Sequence, residues 1–161
     1  MSKLPLPALL AVMINTSLLG LVACKEKQLI FPPVTDAPTR GYCGTCHMAF
    51  QPSMLPAASW ERMMQELDDH FKEQVKMKPA AIARVRDYLV ANAGDTKTAG
   101  EVGRVALQGL EENSSLQRIT NTPYFKDEHR FLNNRILDDW VGSLANCTAC
   151  HVGAWVGDYR E

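Results

Sequence analysis

Apolar residues recur at three- and four-residue intervals through the 161-residue chain, and no stretch alternates apolar with polar positions, so the pattern predicts helices and no sheet. Trp60, Met63, Met64, Leu67 and Phe71 form one stripe, and Ser59 is placed to cap a helix running from there to about Phe71. His70 borders that stripe. A second helix opens at Pro79, suited to a first helical position, and carries Ile82, Val85 and Leu89 to Ala93 before stopping at Gly94. A glycine-interrupted helix is expected around 101–112, and another opens at Thr122-Pro123 and carries His129.

The punctuation divides the chain. Residues 4–23 are apolar, preceded by Lys3 and interrupted by Asn15-Thr16-Ser17, which reads as an export signal spanning 1–23. An uncleaved membrane anchor is the alternative, since the stretch nearly reaches the length of a span. Residues 24–40 are proline-spaced and of mixed charge, a composition expected of a flexible tether. A first compact unit covers 41–94, with a loop punctuated by Pro52 and Pro56, and a second covers 95–161. Gly94-Asp-Thr-Lys-Thr-Ala-Gly100 reads as the link between them.

Charge adds little, because a formal net charge of −1 points to neither nucleic acid nor a polybasic membrane patch. Cysteine spacing adds a great deal. Cys43-Gly-Thr-Cys46-His47 and Cys147-Thr-Ala-Cys150-His151 both have the Cys-x-x-Cys-His form of a covalent c-type haem attachment site. Two thiols on one turn reach the two vinyl groups of a porphyrin, and the adjacent imidazole ligates its iron. Two haem c groups would also supply apolar volume to a chain with only 7% aromatics. The fifth cysteine, Cys24, ends Leu21-Val22-Ala23-Cys24, the form of a lipoprotein cleavage box, so Cys24 is the expected site of lipidation. Such a chain would lie in the periplasm, held to a membrane by its lipid. A chance cysteine near a signal cleavage point is the plainer reading.

The chain has four histidines. His47 and His151 belong to the attachment motifs, leaving His70 and His129 for the sixth position of each iron. His70 lies 23 residues after His47, and His129 lies 22 before His151, so pairing within each unit is simplest. The competing reading of His70 is a surface side chain made more basic by Asp68 and Asp69. Met48, Met54, Met63, Met64 and Met77 are sulfur alternatives at the first iron. No methionine follows Met77, which strengthens His129, although Glu128-His129-Arg130 also reads as a solvated helix face.

Two irons with both axial positions filled would pass electrons and bind no small-molecule substrate, at a potential below that of a His/Met haem. That reading is a non-enzymatic carrier. A dihaem redox enzyme of peroxidase or nitrogen-oxide reductase type would instead need one open iron. Structural zinc held by both Cys-x-x-Cys elements is a third alternative, but it leaves the trailing histidines without a role.

Beyond the attachment motifs, the chain resembles the bacterial dihaem cytochrome c family. The likeness rests on Cys46-His47-Met48-Ala49-Phe50, Leu55-Pro56-Ala57, Ser59-Trp60, His70-Phe71, Tyr88-Leu89 and Ala91-Asn92-Ala93. In the second unit it rests on Arg118-Ile119-Thr120, Thr122-Pro123-Tyr124-Phe125, Glu128-His129-Arg130 and Val141-Gly142-Ser143 leading into Cys147. The resemblance implies two bis-histidine haems, with His70 and His129 matching the distal ligands. It implies a mainly α fold, an N-terminal helical unit similar to a class I cytochrome c and a smaller C-terminal haem-binding helical arm. The partners it suggests are a membrane cytochrome b as donor and a monohaem cytochrome c as acceptor. Two features depart from the family: Leu144 stands where tryptophan is expected, and the lipid box is unusual among carriers that are often soluble.

Overall fold

The computed structural model describes residues 29–132 and 137–160; the stretch expected to be an export signal, and Cys24, lie outside the described residues. Five short helices follow in order: α1 Ala37–Cys43, α2 Ala57–Gln65, α3 Pro79–Ala91, α4 Gly100–Ala106 and α5 Pro123–Glu128. Single 3-10 turns and one π-helical turn, Leu137–Val141, connect them. The only extended pairings among the described residues are isolated bridges, Ile30 with Asp158 and His70 with Glu73.

Residues 29–40, expected as a tether, are instead part of the fold. Phe31 and Val34 are buried, and α1 begins inside this stretch because Asp36 caps it, its Oδ2 accepting from Thr39 N at 3.0 Å, with Pro38 in the first turn. Arg84 of α3 pairs with Asp36 at 2.9 Å, and Thr35 N donates to the Tyr88 hydroxyl at 2.9 Å. Of the prolines that suggested a spacer, Pro38 sets up the helix entry.

Helix α2 also differs from its expected span. It begins two residues before Ser59, and its first free amide is capped from a distance, Ala57 N donating to Asp95 Oδ1 at 2.9 Å. Ser59 is fully buried with its hydroxyl 3.4 Å from Ser114 O. The helix ends at Gln65 because the chain must turn sharply: Leu67–Asp69 form a 3-10 turn, and Phe71 and Lys72 take φ of 57° and 78°. Two left-handed residues in succession cannot continue an α-helix. Similarly α4 stops at Ala106, ahead of Gly109 with φ 76°, rather than reaching 112. Asp95 in the expected link caps α2, and Gly94 N donates to Leu55 O at 2.9 Å, so residues 94–100 form a packed turn.

The main core brings together Leu55, Trp60, Met64 and Leu67 with Val85 and Leu89 of α3 and Ala93 just past its end. Each large side chain buried there contributes roughly 1.5–3 kcal/mol. The Trp60 indole meets its polar demand by donating to Pro52 O at 2.8 Å. A second cluster, Phe31, Met54 and Ala106 with Tyr124 and Tyr159 packed against it, draws on both ends of the chain.

The two ends close on each other. Phe31 N donates to Gly157 O at 2.9 Å, Gln51 Nε2 donates to Ala154 O at 2.8 Å, and the Tyr159 hydroxyl donates to Gln51 Oε1 at 2.6 Å. The approach is possible because Gly157 has φ 81° and no side chain; a β-carbon there would stand 1.8 Å from Phe31 O. Gly157→Ala is expected to lower the free energy of unfolding by about 2 kcal/mol or more. Chemical denaturation of the holoprotein checks this, and parent-like stability would show that the ends do not meet so closely.

Candidate haem-binding site

The first attachment motif grows out of α1. Cys43 is the last residue of that helix, Gly44 follows as its C-cap, and Thr45 ties the turn back through its hydroxyl to Gly41 O at 2.9 Å. Cys43 is half-buried, and burial pushes its thiol up to about 11, an environment suited to an apolar thioether rather than a reactive thiolate. His47 Nδ1 lies 2.7 Å from Met48 O, and since a carbonyl only accepts, that nitrogen carries the proton. The lone pair of Nε2 is thereby left to ligate. The ring stacks on Phe50 at 4.9 Å.

The imidazole facing His47 belongs to His70. The two ring centres are 6.1 Å apart and their planes differ by 24°. The left-handed turn after α2 makes this possible: His70 N donates to Glu73 O at 2.8 Å, Glu73 N returns to His70 O at 3.1 Å, and Lys72 N donates to Asp69 Oδ1 at 3.1 Å. Phe71 lies against His70, and the Arg118 guanidinium sits 4.1 Å over the Phe71 ring, clasping this turn from the second unit. Burial first, then the charges of His47 and Arg118, hold the His70 pKa below the ordinary histidine value. The shift runs opposite to the one that Asp68 and Asp69 alone would cause. A neutral imidazole is the form that binds metal.

The second motif is a 3-10 turn, Cys147–Ala149, closed by His151 N donating to Cys147 O at 2.8 Å. Cys147 is half-buried and its thiol is likewise raised by burial. His129 faces it from the end of α5, a helix started by Thr122, whose Oγ1 accepts from Phe125 N at 3.1 Å, with Pro123 next. His129 Nδ1 lies 2.9 Å from Phe125 O, so this ring too is held with Nε2 free, and it stacks on the Phe125 ring at 3.9 Å. The His129 and His151 ring centres are again 6.1 Å apart, with planes 85° apart.

All eight of these cysteines and histidines line one cavity of about 1470 Å³. That exceeds the roughly 300–1,000 Å³ of an ordinary small-ligand site. Two imidazoles bound to one metal at about 2 Å each place their ring centres about 6 Å apart, the spacing that occurs twice here. With a pair of thiols beside each proximal ring, the residues fit two covalently held haems, whose chemistry is one-electron exchange at iron. Met54, Met63, Met64 and Met77 stand in the cavity wall, while Met48 is buried outside the lining. Among the described residues no three His, Cys, Asp or Glu side chains converge as metal donors, so the two Cys-x-x-Cys elements do not meet as a zinc site. Leu144 lines the cavity with Val141.

Three supporting residues were not singled out from the sequence. Tyr159 packs its ring 5.5 Å from His151 and 5.6 Å from Phe31, and burial drives its hydroxyl well above the usual phenol range. Gln51 is fully buried and bonds both Tyr159 and Ala154. Arg118 belongs to Arg118-Ile119-Thr120, a segment of the family resemblance, which was the available signal but carried no role.

A dihaem cytochrome c family description matches residues 39–159. Among solved structures, a diheme cytochrome c from Rhodobacter sphaeroides is 38% identical, with 81% of this chain and 99% of that one covered at a TM-score of 0.71. A structure of DHC purified from Rhodobacter sphaeroides is 35% identical, covering 78% and 98%, at 0.66. A diheme cytochrome type c from Shewanella baltica OS155 is 30% identical, covering 74% and 82%, at 0.58. Comparison with curated proteins finds no match. The mainly helical fold, the two attachment motifs and the likeness over most of the chain agree, and the chain belongs to the dihaem cytochrome c family, with two c-type haems as its cofactors.

Proposed function

We propose that this electron-transfer haem protein is a non-enzymatic carrier whose two irons are each held by two histidines, His47 with His70 and His151 with His129. The observation that carries the reading is the repeated 6.1 Å spacing of facing imidazoles. The chain fixes these rings before any ligand arrives. Nδ1–H bonds to backbone carbonyls aim the Nε2 atoms of His47 and His129, and the Glu73 and Arg118 contacts hold the turn that carries His70. Ligands so held resist displacement, which keeps peroxide and nitrogen oxides from the metal and leaves oxidation state as the variable. Two imidazoles per iron place both potentials below those of His/Met haems. The shared cavity makes the path between the two centres short.

On this reading the protein works outside the cytoplasm, in the periplasm, held to a membrane by acyl chains on Cys24. It takes electrons from a membrane cytochrome b and passes them to a monohaem cytochrome c. No helix among the described residues is long and apolar enough to cross a membrane.

The oxidised holoprotein is expected to give two distinct low-spin electron paramagnetic resonance signals. Ring planes 24° apart favour a rhombic signal, and planes 85° apart favour a strongly anisotropic one. A high-spin signal in the untreated protein would sink the closed-iron reading and favour the enzyme. His129→Ala is expected to turn one haem high-spin and able to bind carbon monoxide while the other keeps its spectrum. Two low-spin haems in that variant would mean that another group ligates the second iron.

A further inference from the structure

The segment that leads back to Cys24 and the turn that follows the second haem motif meet at one edge of the molecule. Ile30 is bridged antiparallel to Asp158, and the turn is pinned from beneath by the bond from Gln51 to Ala154, which is fully buried. With that side anchored, the turn presents Val152, Trp155 and Val156 outward, 90%, 59% and 60% exposed, and Ile30 is 53% exposed. None of these four side chains lines the haem cavity, so haem binding does not cover them.

Two observations say what does. Cys24 is six residues from Ile30, so at most about 20 Å of chain separates the anchoring residue from this edge. The composition, a tryptophan among aliphatic side chains, is that of a membrane–water interface. Of the charges on the C-terminal turn, Asp158 and Arg160 pair with each other, which draws the Asp158 pKa down to about 2, and Lys25, Glu26 and Lys27 on the segment leading to Cys24 sum to a single positive charge. No cluster of like charges beside the edge opposes contact with a neutral bilayer.

We propose that Ile30, Val152, Trp155 and Val156 rest in the interface of the bilayer to which Cys24 is attached. The inference builds on the lipidated reading of Cys24. The acyl chains supply attachment, and the apolar edge supplies orientation, turning the end that carries His151 toward the membrane. Of the two irons, the one on His151 and His129 is then the nearer to a membrane-bound donor.

The test uses the mature, lipidated holoprotein in phosphatidylcholine vesicles doped with a phospholipid bearing a photoactivatable group near its ester linkage. Labelled peptides are mapped by mass spectrometry. Label is expected to concentrate about tenfold on Ile30 and residues 152–156 over the rest of the surface, and to fall back to the surface average in a Val152→Ser/Trp155→Ser/Val156→Ser variant. Unchanged haem spectra establish that this variant is folded, and Val152→Ser alone, at the most exposed of the positions, is expected to give a partial loss. Even labelling of a lipidated chain overturns the proposal while leaving the anchor in place. A mature chain whose mass shows no acyl groups overturns the anchor instead.

Discussion

Two imidazoles face each other with ring centres 6.1 Å apart in each half of this chain, the spacing that a shared metal between them would require, and much of the rest of the structure serves to hold those rings in place. Each proximal ring comes free with its attachment motif, because one short turn places two thiols and a histidine together. The ring that faces it does not. It must be delivered by a different element, and the two halves solve the problem differently. His70 hangs on a left-handed turn that breaks off α2, whereas His129 terminates α5 and is braced by the carbonyl of its own last turn. Left-handed φ at Phe71 and Lys72 costs of order 1–3 kcal/mol per residue, and such strain persists only when surrounding contacts over-determine it. The Glu73 bridge, the Asp69 carboxylate and the Arg118 clasp supply those contacts.

The second unit has little core of its own. Its attachment turn is seated by Gln51 from the first unit and by Tyr159, which touches both His151 and Phe31. Gly157 permits the close approach that makes this seating possible. The consequence for function is that both haem sites open onto one cavity, so electrons need not cross a boundary between separate bodies.

The same closure accounts for the apolar edge. Pulling the C-terminal turn onto the N-terminal segment buries Ala154 and Gly157 and, by geometry, turns Val152, Trp155 and Val156 out. A chain that kept these residues exposed without a surface to meet them would carry an aggregation hazard.

Much of the chemistry was legible without coordinates. Cys-x-x-Cys-His is a local signal, four histidines are a count, and both survive any arrangement of the chain. Helices α3 and α5 were readable for the same reason, since Pro79 and the Thr122-Pro123 pair act within one turn. What failed were element boundaries that depend on distant partners. Residues 29–40 look like a spacer until Phe31 finds Gly157 and Asp36 finds Arg84, and α2 starts where Asp95, nearly forty residues on, can cap it. The 24° and 85° ring angles were beyond any pattern, because a side-chain torsion is set by whichever neighbours pack against it. Sequence alone determined which atoms could hold two irons; only tertiary structure decided how those atoms face each other, because facing is a long-range relation that no local spacing encodes.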